Sequence, residues 1–500
     1  MSRFVCVHGH FYQPPRENPW TGRVEVEASA APFHDWNERI TSECYAGNAD
    51  AGNYSRMSFN FGPTLLSWLE REAGGVYGAI LAADRESRER FSGHGSAIAQ
   101  AHSHVILPLA NARDKRTQVR WGVVDFERRF GRSPEGMWLP ETAVDLETLD
   151  ALAEQGILFT ILAPHQARAS RRIGDREWQE VLTAGLDPRR PYAVPLPSGR
   201  RMAVFLYDGP ASNSIAFGGL ALGGEFLARR LAGLLEGAPQ GALAHVATDG
   251  ETYGHHFRGG ERVLAEAFRF LEVPALPSLT NYGEYLAAHP PAFEVELTEN
   301  TSWSCVHGVG RWRENCGCAT GEHPGWSQNW RAPLRRALDW LRDELAGRFE
   351  HAGRRIFRDP WRARDEALPA LDGGSADRER FLEEYGLGPL DEEARREALR
   401  LLRMQWYAML MFASCGWFFE DPAGLETRQI LRFAARAIEL AEPAEGDALE
   451  QDFLSLLADF RSNDPEAGDG RQIYETSVRI GGLKDWRIER LKDSTLKIED

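Results

Sequence analysis

Ala242-Leu243-Ala244-His245-Val246-Ala247 runs without a break into Thr248-Asp249-Gly250-Glu251-Thr252-Tyr253-Gly254-His255-His256. A short apolar run that opens into two acids and two histidines, with glycines to bend the backbone, is how an α/β enzyme presents acid–base groups at the carboxyl end of a strand. Earlier stretches repeat the pattern. Arg3 to Val7 ends in His8-Gly9-His10, and alternation along a strand points both imidazoles to one side. Gly136 to Leu139 delivers Glu141, Ile157 to Leu162 is a further strand, and Met202 to Leu206 ends in Tyr207-Asp208. Between them lie helices: Thr64 to Glu72 with Pro63 in a first-turn position, Asp84 to Phe91, Gln118 to Phe130 stopped by Gly131, and Asp145 to Gln155 closed by Gly156. Strands of about 4 to 6 residues alternating with helices of about 10 to 15 imply right-handed βαβ units. The expected fold class is therefore α/β, with a largely parallel sheet or barrel.

Phe11 to about Arg56 reads as a long ordered loop, rich in Pro and aromatics, with Trp36-Asn37-Glu38-Arg39 in an amphipathic turn. So long a loop in a compact domain is usually functional. Gly93 to His104 carries three histidines in a small-residue setting. Beyond Pro290-Pro291 the pattern turns helical, with Ala332 to Phe349, Asp391 to Phe412 with Asp391 as N-cap, Leu425 to Leu440 and Ala448 to Phe460. A polar tail follows from Arg461 and ends in the charged run Lys484 to Asp500. Two domains are expected: residues 1–290, and a mainly helical 291–500 that contributes to the cleft.

The chain has 500 residues, and 74 acidic against 58 basic side chains give it a net charge of −16. That balance argues against nucleic acid and suits a neutral polymer. No window approaches the roughly 20 apolar residues of a membrane span. The opening residues leave no room for an export signal, so a cytoplasmic location is expected, with the six cysteines kept as thiols. Cys305-Val306-His307, Cys316-Gly317-Cys318 and His323 raise a metal reading, but the spacing is not that of a zinc ribbon, and ordinary thiols are expected.

Two carboxylates on separate strands, Glu141 and Asp249, suit glycoside hydrolysis, in which one attacks or stabilises the sugar cation and the other protonates the leaving oxygen. Trp20, Trp36, Trp138, Trp303, Trp312, Trp326 and Trp417 lie in loops or near element ends, where indoles can stack on sugar faces. A rival uses the histidines His8, His10, His102, His104, His255 and His256 with Asp249 as metal ligands, in the manner of a metal-dependent polysaccharide deacetylase-like hydrolase. Another alternative is a glucan-binding protein without turnover. No HExxH, GxSxG or Walker pattern is present.

His8-Gly9-His10-Phe11-Tyr12-Gln13-Pro14, Gly136-Met137-Trp138-Leu139-Pro140-Glu141 and Thr248-Asp249-Gly250-Glu251 resemble, in order, motifs of glycoside hydrolase family 57, an amylase-like family of α-glucan enzymes. The resemblance covers roughly residues 1–290. It implies an incomplete seven-stranded β/α barrel followed by a helical domain, and a retaining glycosidase or transglycosylase of α-amylase, 4-α-glucanotransferase or branching type. It further implies that Glu141 is the nucleophile, that Asp249 is the general acid/base, and that His10 and His104 line the subsite. Phe11 and Tyr12 interrupt the family's usual His-Gln-Pro, as in a subgroup with an uncharacterised C-terminal helical domain. The expected carbohydrate contacts are His8, His10, Trp20, His104, Trp138, Asp208, His255, Trp303 and Trp417, with no metal and no cofactor. Glu251 is expected to support Asp249 rather than react.

Overall fold

The structure is a computed structural model in which residues 3–441 and 448–480 are described. The expected charged run Lys484–Asp500 lies outside them. The chain packs as two units. One holds the residues before Arg16 and the chain from Val26 through strand Phe293–Leu297 into the loop that follows. The other holds residues 16–25 and the helices from Arg331 onward. The changeover thus falls after Leu297 and not at Pro290-Pro291. That proline pair leads into a strand, an entry position where the missing N–H costs nothing.

In the first unit, strand Phe4–Phe11 lies between Leu243–Asp249 and Ser58–Phe61, parallel to both, with His8 opposite Ala247 and His10 opposite Asp249. It runs on through the two histidines to Phe11, longer than the apolar run suggests. Bridges continue the parallel series from Phe59 to Ala97, through the pair Ala99–Gln100 and Met137–Trp138, and from Gly136 to Phe159. Strand Phe159–Leu162 then pairs in parallel with Arg201–Leu206. The Asp208 N–H donates to the His245 carbonyl at 2.9 Å, which leads back to the Leu243–Asp249 strand. Cys6, Trp138, Phe159, Phe205, Leu243 and Ala247, from five of these strands, share one buried cluster. The α/β class is as expected. Outside that expectation is an antiparallel extension, in which Pro191–Pro195 pairs with Arg201–Leu206, and Phe293–Leu297 with Ala167–Arg172.

The helices follow their signals closely. Pro63–Glu72 starts on its proline, and Ala112–Phe130 ends at Gly131 with φ +66°. Leu146–Glu154 is capped by Asp145, whose carboxylate accepts from the Thr148 N–H at 2.7 Å. Gly74–Arg90 starts well before the predicted Asp84, because three glycines in its first turns mask the period. Residues 36–50, expected to be irregular, are helical, including a π-helical turn Thr41–Tyr45.

In the second unit, Arg331–Gly353, Glu392–Leu410, Leu425–Ala441 and Ala448–Leu457 match the predicted helices. Asp391 caps its helix through the Ala394 N–H at 2.8 Å. The expected polar tail instead forms helix Gly470–Ile480, which buries Ile473, Tyr474 and Ser477 on one face of an otherwise charged segment. Among the described residues no helix is long and apolar enough to cross a membrane.

Candidate active site

Glu141 sits just past strand Met137–Trp138 in a left-handed backbone, φ +57° and ψ +20°, and Thr142 follows at φ +49°. Consecutive non-glycine residues in this region store strain and need the surroundings to hold them. Gln166 supplies part of the hold: its amide donates to the Thr142 carbonyl at 2.8 Å, and its Oε1 accepts from Thr142 Oγ1 at 3.0 Å. The loop after Leu297 supplies the rest, with Trp303 N–H on the Glu141 carbonyl at 3.0 Å and Val144 N–H on the Thr301 carbonyl at 3.0 Å. That loop also reaches the carboxylate. Trp303 Nε1 donates to Glu141 Oε2 at 3.1 Å and Ser304 Oγ to the same oxygen at 2.6 Å. Two donors on one oxygen fix the carboxylate's orientation and stabilise negative charge on it.

Asp249 ends strand Leu243–Asp249. Surrounding protein mass and then the Glu141 charge push its pKa up to about 7. Its surface is nevertheless open to solvent, so hydration tempers the first cause, and the upward direction draws on both. The Glu141 contribution puts the two carboxyls within electrostatic reach. Glu251, two residues on, is buried and pushed up to about 8, first by burial and then by Asp249. Tyr45 donates to its Oε1 at 2.6 Å and the Tyr12 N–H at 3.2 Å. The turn between the acids needs Gly250, because an added Cβ would run into the Phe11 ring.

Beside the acids is a stack of neutral rings. His10 lies 4.9 Å from Trp138 and 5.4 Å from His104 between ring centroids, and Tyr12 lies 3.7 Å from His104, all close to parallel. Trp303 meets Trp138 edge-on at 5.1 Å. Burial lowers the pKa of His8 and His10 to about 3 and that of His104 well below its usual value, so none carries charge near neutrality. Asn60 donates to His10 Nδ1 at 2.9 Å, which leaves the His10 proton on Nε2, facing His104 Nε2 at 3.4 Å. His104 itself has φ +53°.

Other expected contacts have different placements. His8 is fully buried, with Nδ1 on Ser58 Oγ at 3.0 Å and Nε2 on Asn60 Oδ1 at 3.1 Å, so it supports His10 and does not face a ligand. Trp138 is likewise fully buried and backs the two histidines. Asp208 caps helix Gly209–Ala216 through the Ala211 N–H at 2.9 Å. His255 Nδ1 pairs with Glu43 Oε2 at 2.5 Å. In the second unit, Trp20 Nε1 donates to Glu439 at 2.8 Å. Trp417 is buried in that unit's core with its ring N–H on the Arg331 carbonyl, so the expectation of a sugar contact there does not stand. Apolar packing claimed the ring because it lies on helix Cys415–Phe418 between buried neighbours.

Ser304, Asn60 and Tyr45 lie outside the set of site residues that the sequence nominates. Each acts across a long loop, and nothing local in the sequence singles them out. Of the cysteines and histidines that raised a metal reading, Cys305 and His307 belong to the first unit, and Cys316 and Cys318 to the second, where the Cys318 N–H donates to Cys316 Sγ at 3.5 Å. His323 also lies in the second unit, with Nδ1 3.2 Å from Glu420 and its ring stacked on Trp326.

Residues 48–297, half of the chain, match the model of glycosyl hydrolase family 57. The chain belongs to that family. Residues 326–486 match a domain of unknown function, DUF3536. The 1,4-α-glucan branching enzyme of Thermococcus kodakarensis is 39% identical over 70 residues, which are 14% of this chain and only 10% of that protein's length. Among solved structures, an exo-type maltose-forming amylase from Pyrococcus sp. ST04 has a TM-score of 0.73 at 16% identity, over 98% of this chain and 94% of that one. A 4-α-glucanotransferase from Thermococcus litoralis has a TM-score of 0.53 at 16% identity, over 89% of this chain and 60% of that one. At such identities the likeness is one of fold. Glu141 and Asp249 stand on two of the three motifs that carry the sequence resemblance.

Proposed function

We propose that this protein is a retaining glycosidase or transglycosylase acting on α-glucans or related α-linked oligosaccharides, with Glu141 as nucleophile and Asp249 as general acid/base. The reading takes the parallel strands as an incomplete seven-stranded β/α barrel, whose carboxyl ends carry the site as such barrels do. The observation that carries it is the asymmetry of the two acids. Glu141 is held by two donors on one oxygen, while Asp249 is raised to about 7 and so retains a proton to give.

In the first step a Glu141 oxygen attacks the anomeric carbon while Asp249 protonates the departing glycosidic oxygen, which leaves a glycosyl ester on Glu141. Forming that ester removes the Glu141 charge. Asp249 then loses its like-charge neighbour, its pKa falls, and it becomes the stronger base that the second step needs to activate water or an acceptor hydroxyl. Between His10, Tyr12 and His104 the wall is neutral and aromatic, which suits an uncharged sugar. Branching-enzyme, amylase and glucanotransferase relatives support an α-glucan as substrate and leave hydrolysis and transfer both within the reading.

The test incubates native protein, Glu141→Gln and Asp249→Asn with maltooligosaccharides and with glycogen, reads products by chromatography, and follows the first-formed anomer by proton NMR. The expected result is α product from the native protein and a loss of at least ~10³-fold in kcat for Glu141→Gln. An inverted first product, or turnover that survives Glu141→Gln, refutes the assignment.

A further inference from the structure

We propose that His323 and Trp326 form a carbohydrate-binding platform on the second unit, shaped to stack against a neutral α-glucan chain; the choice of ligand rests on the α-glucan reading above. His323-Pro324-Gly325-Trp326 is a tight turn, in which the Trp326 N–H donates to the His323 carbonyl at 3.2 Å and Gly325 has φ +94° with open space around its missing Cβ. Proline second and a left-handed glycine third are what a type II turn demands, because proline presets one corner and glycine takes the other without strain. Such a turn brings its first and last residues together. Here the imidazole and the indole lie 3.8 Å apart between centroids, with 7° between their planes.

The turn is clamped at both ends. On the His323 side the buried Glu420 carboxylate accepts from Thr320 Oγ1 at 2.9 Å, from the Gly321, Glu322 and His323 N–H groups at 2.5, 3.2 and 2.9 Å, and from His323 Nδ1 at 3.2 Å. Donors converging on one carboxylate fix both its charge and the loop that supplies them. On the Trp326 side the Ser327 N–H donates to Asn463 Oδ1 at 2.7 Å, and Asn463 Nδ2 donates to the Ser327 carbonyl at 3.0 Å. Asn463 is held in turn by its N–H on Asp421 at 2.7 Å. All of these groups belong to the second unit. Rings that are ordered before a ligand arrives lose less entropy when it binds, so a clamped pair makes a better platform than two free side chains.

Held this firmly, the pair still meets solvent. The His323 side chain is 49% exposed, Pro324 and Gly325 are exposed, and Trp326 is half-buried. Ring N–H groups set Trp326 apart from the other indoles that the sequence nominates. Those of Trp20, Trp36, Trp303, Trp312 and Trp417 are bonded within the protein, and Trp138 is fully buried. The Trp326 ring N–H has no partner among the described residues and is free to donate. His323 supplies the matching acceptor. A carboxylate only accepts, so Nδ1 donates to Glu420, and the neutral ring keeps its lone pair on Nε2. One donor and one acceptor beside an aromatic face suit the hydroxyls and the C–H face of a sugar. An anionic ligand is disfavoured by the exposed Glu322 beside the turn and by 74 acidic against 58 basic side chains in the chain.

The experiment uses the full-length chain in a Glu141→Gln background, so that added sugar is not consumed, with maltoheptaose and glycogen as probes. Protein labelled with 5-fluorotryptophan is titrated with maltoheptaose and followed by ¹⁹F NMR, the Trp326 resonance being assigned by its loss in Trp326→Phe. A saturable shift of that resonance is expected, and this reading needs no destabilising variant. Retardation in native gels containing glycogen then gives the contribution to affinity. Trp326→Ala should weaken it about 3- to 10-fold, the size of one lost aromatic contact, and Trp326→Phe, which keeps a ring but loses the donor, should weaken it less. A Trp326 resonance that maltoheptaose does not move, or equal retardation of Trp326→Ala, overturns the platform, and the glycosidase reading stands as long as the native protein turns over maltooligosaccharides. A native protein that neither turns over maltooligosaccharides nor is retarded by glycogen overturns both.

Discussion

Replacing Glu141 by Gln should lower the pKa of Asp249 by about 1 unit. The substitution keeps the shape of the side chain, and its amide oxygen still accepts from Trp303 Nε1 and Ser304 Oγ, so the turn stays in place. Only the charge goes. Asp249 is raised from 3.8 to about 7, with burial the larger cause and the Glu141 charge the smaller. The like-charge part is therefore less than half of the rise, and solvent at the exposed Asp249 screens it further, which limits the expected fall to about 1 unit. The assay is a ¹³C NMR titration of aspartate side-chain carbonyls, with Asp249→Asn to assign the resonance. A midpoint near 6 in Glu141→Gln, still above the ordinary aspartate value, is the expected outcome. An unmoved midpoint would mean that the two carboxyls do not interact, and the acid–base cycle built on them would fail. A drop to the ordinary value would mean that burial contributes nothing.

Ser304→Ala removes the 2.6 Å donor from Glu141, and a lost charge-assisted hydrogen bond of about 1.5–3 kcal/mol should lower kcat/KM by ~10- to 100-fold, whereas Ser304→Thr should retain most activity. Equal activity in Ser304→Ala would show that the bond is idle. Glu251 is raised from 4.5 to about 8, so its proton stabilises the fold fully below about pH 4.5, and that stability is lost as pH rises through 8; Asp249 adds the same effect between 3.8 and about 7. The melting temperature should accordingly fall from about pH 5 to pH 8, with a shallower slope in Glu251→Gln, which can still accept from Tyr45; parallel slopes would remove Glu251 as a cause. Gly250→Ala drives a methyl into the Phe11 ring and should cost about 1–3 kcal/mol in urea denaturation, with activity falling alongside. Asp391→Ala removes the cap of Glu392–Leu410 and should cost about 0.5–2 kcal/mol without changing kcat; a kcat change would contradict a purely local role.

Legibility followed the range of the forces involved. Proline at a helix start, Asp145 and Asp391 as caps and Gly131 as a stop act within four residues, so the ends they mark were readable to within a few positions, whereas the helix expected from Gln118 begins six residues earlier, at Ala112. Glycine-masked starts, such as that of Gly74–Arg90, and short faces, such as Ile473-Tyr474-Ser477, were not readable, because their apolar periods are too brief to stand out from charged neighbours. Trp417 shows the opposite failure. An indole near an element end reads the same whether it awaits a sugar or fills a core, and only packing tells them apart.

At the site, order along the chain was enough to nominate Glu141 and Asp249, because a carboxylate following an apolar run is placed by its own strand. Chemistry between them was another matter. The roles of Ser304, Trp303 and Asn60 depend on contacts that span 163, 162 and about 50 residues, and no local pattern encodes a partner at that distance. The same holds for the left-handed turn at Glu141, which is held by Gln166 and the loop after Leu297. Residue types were therefore set by the chain, while protonation and orientation were decided by folding, because burial and field exist only once distant segments have met.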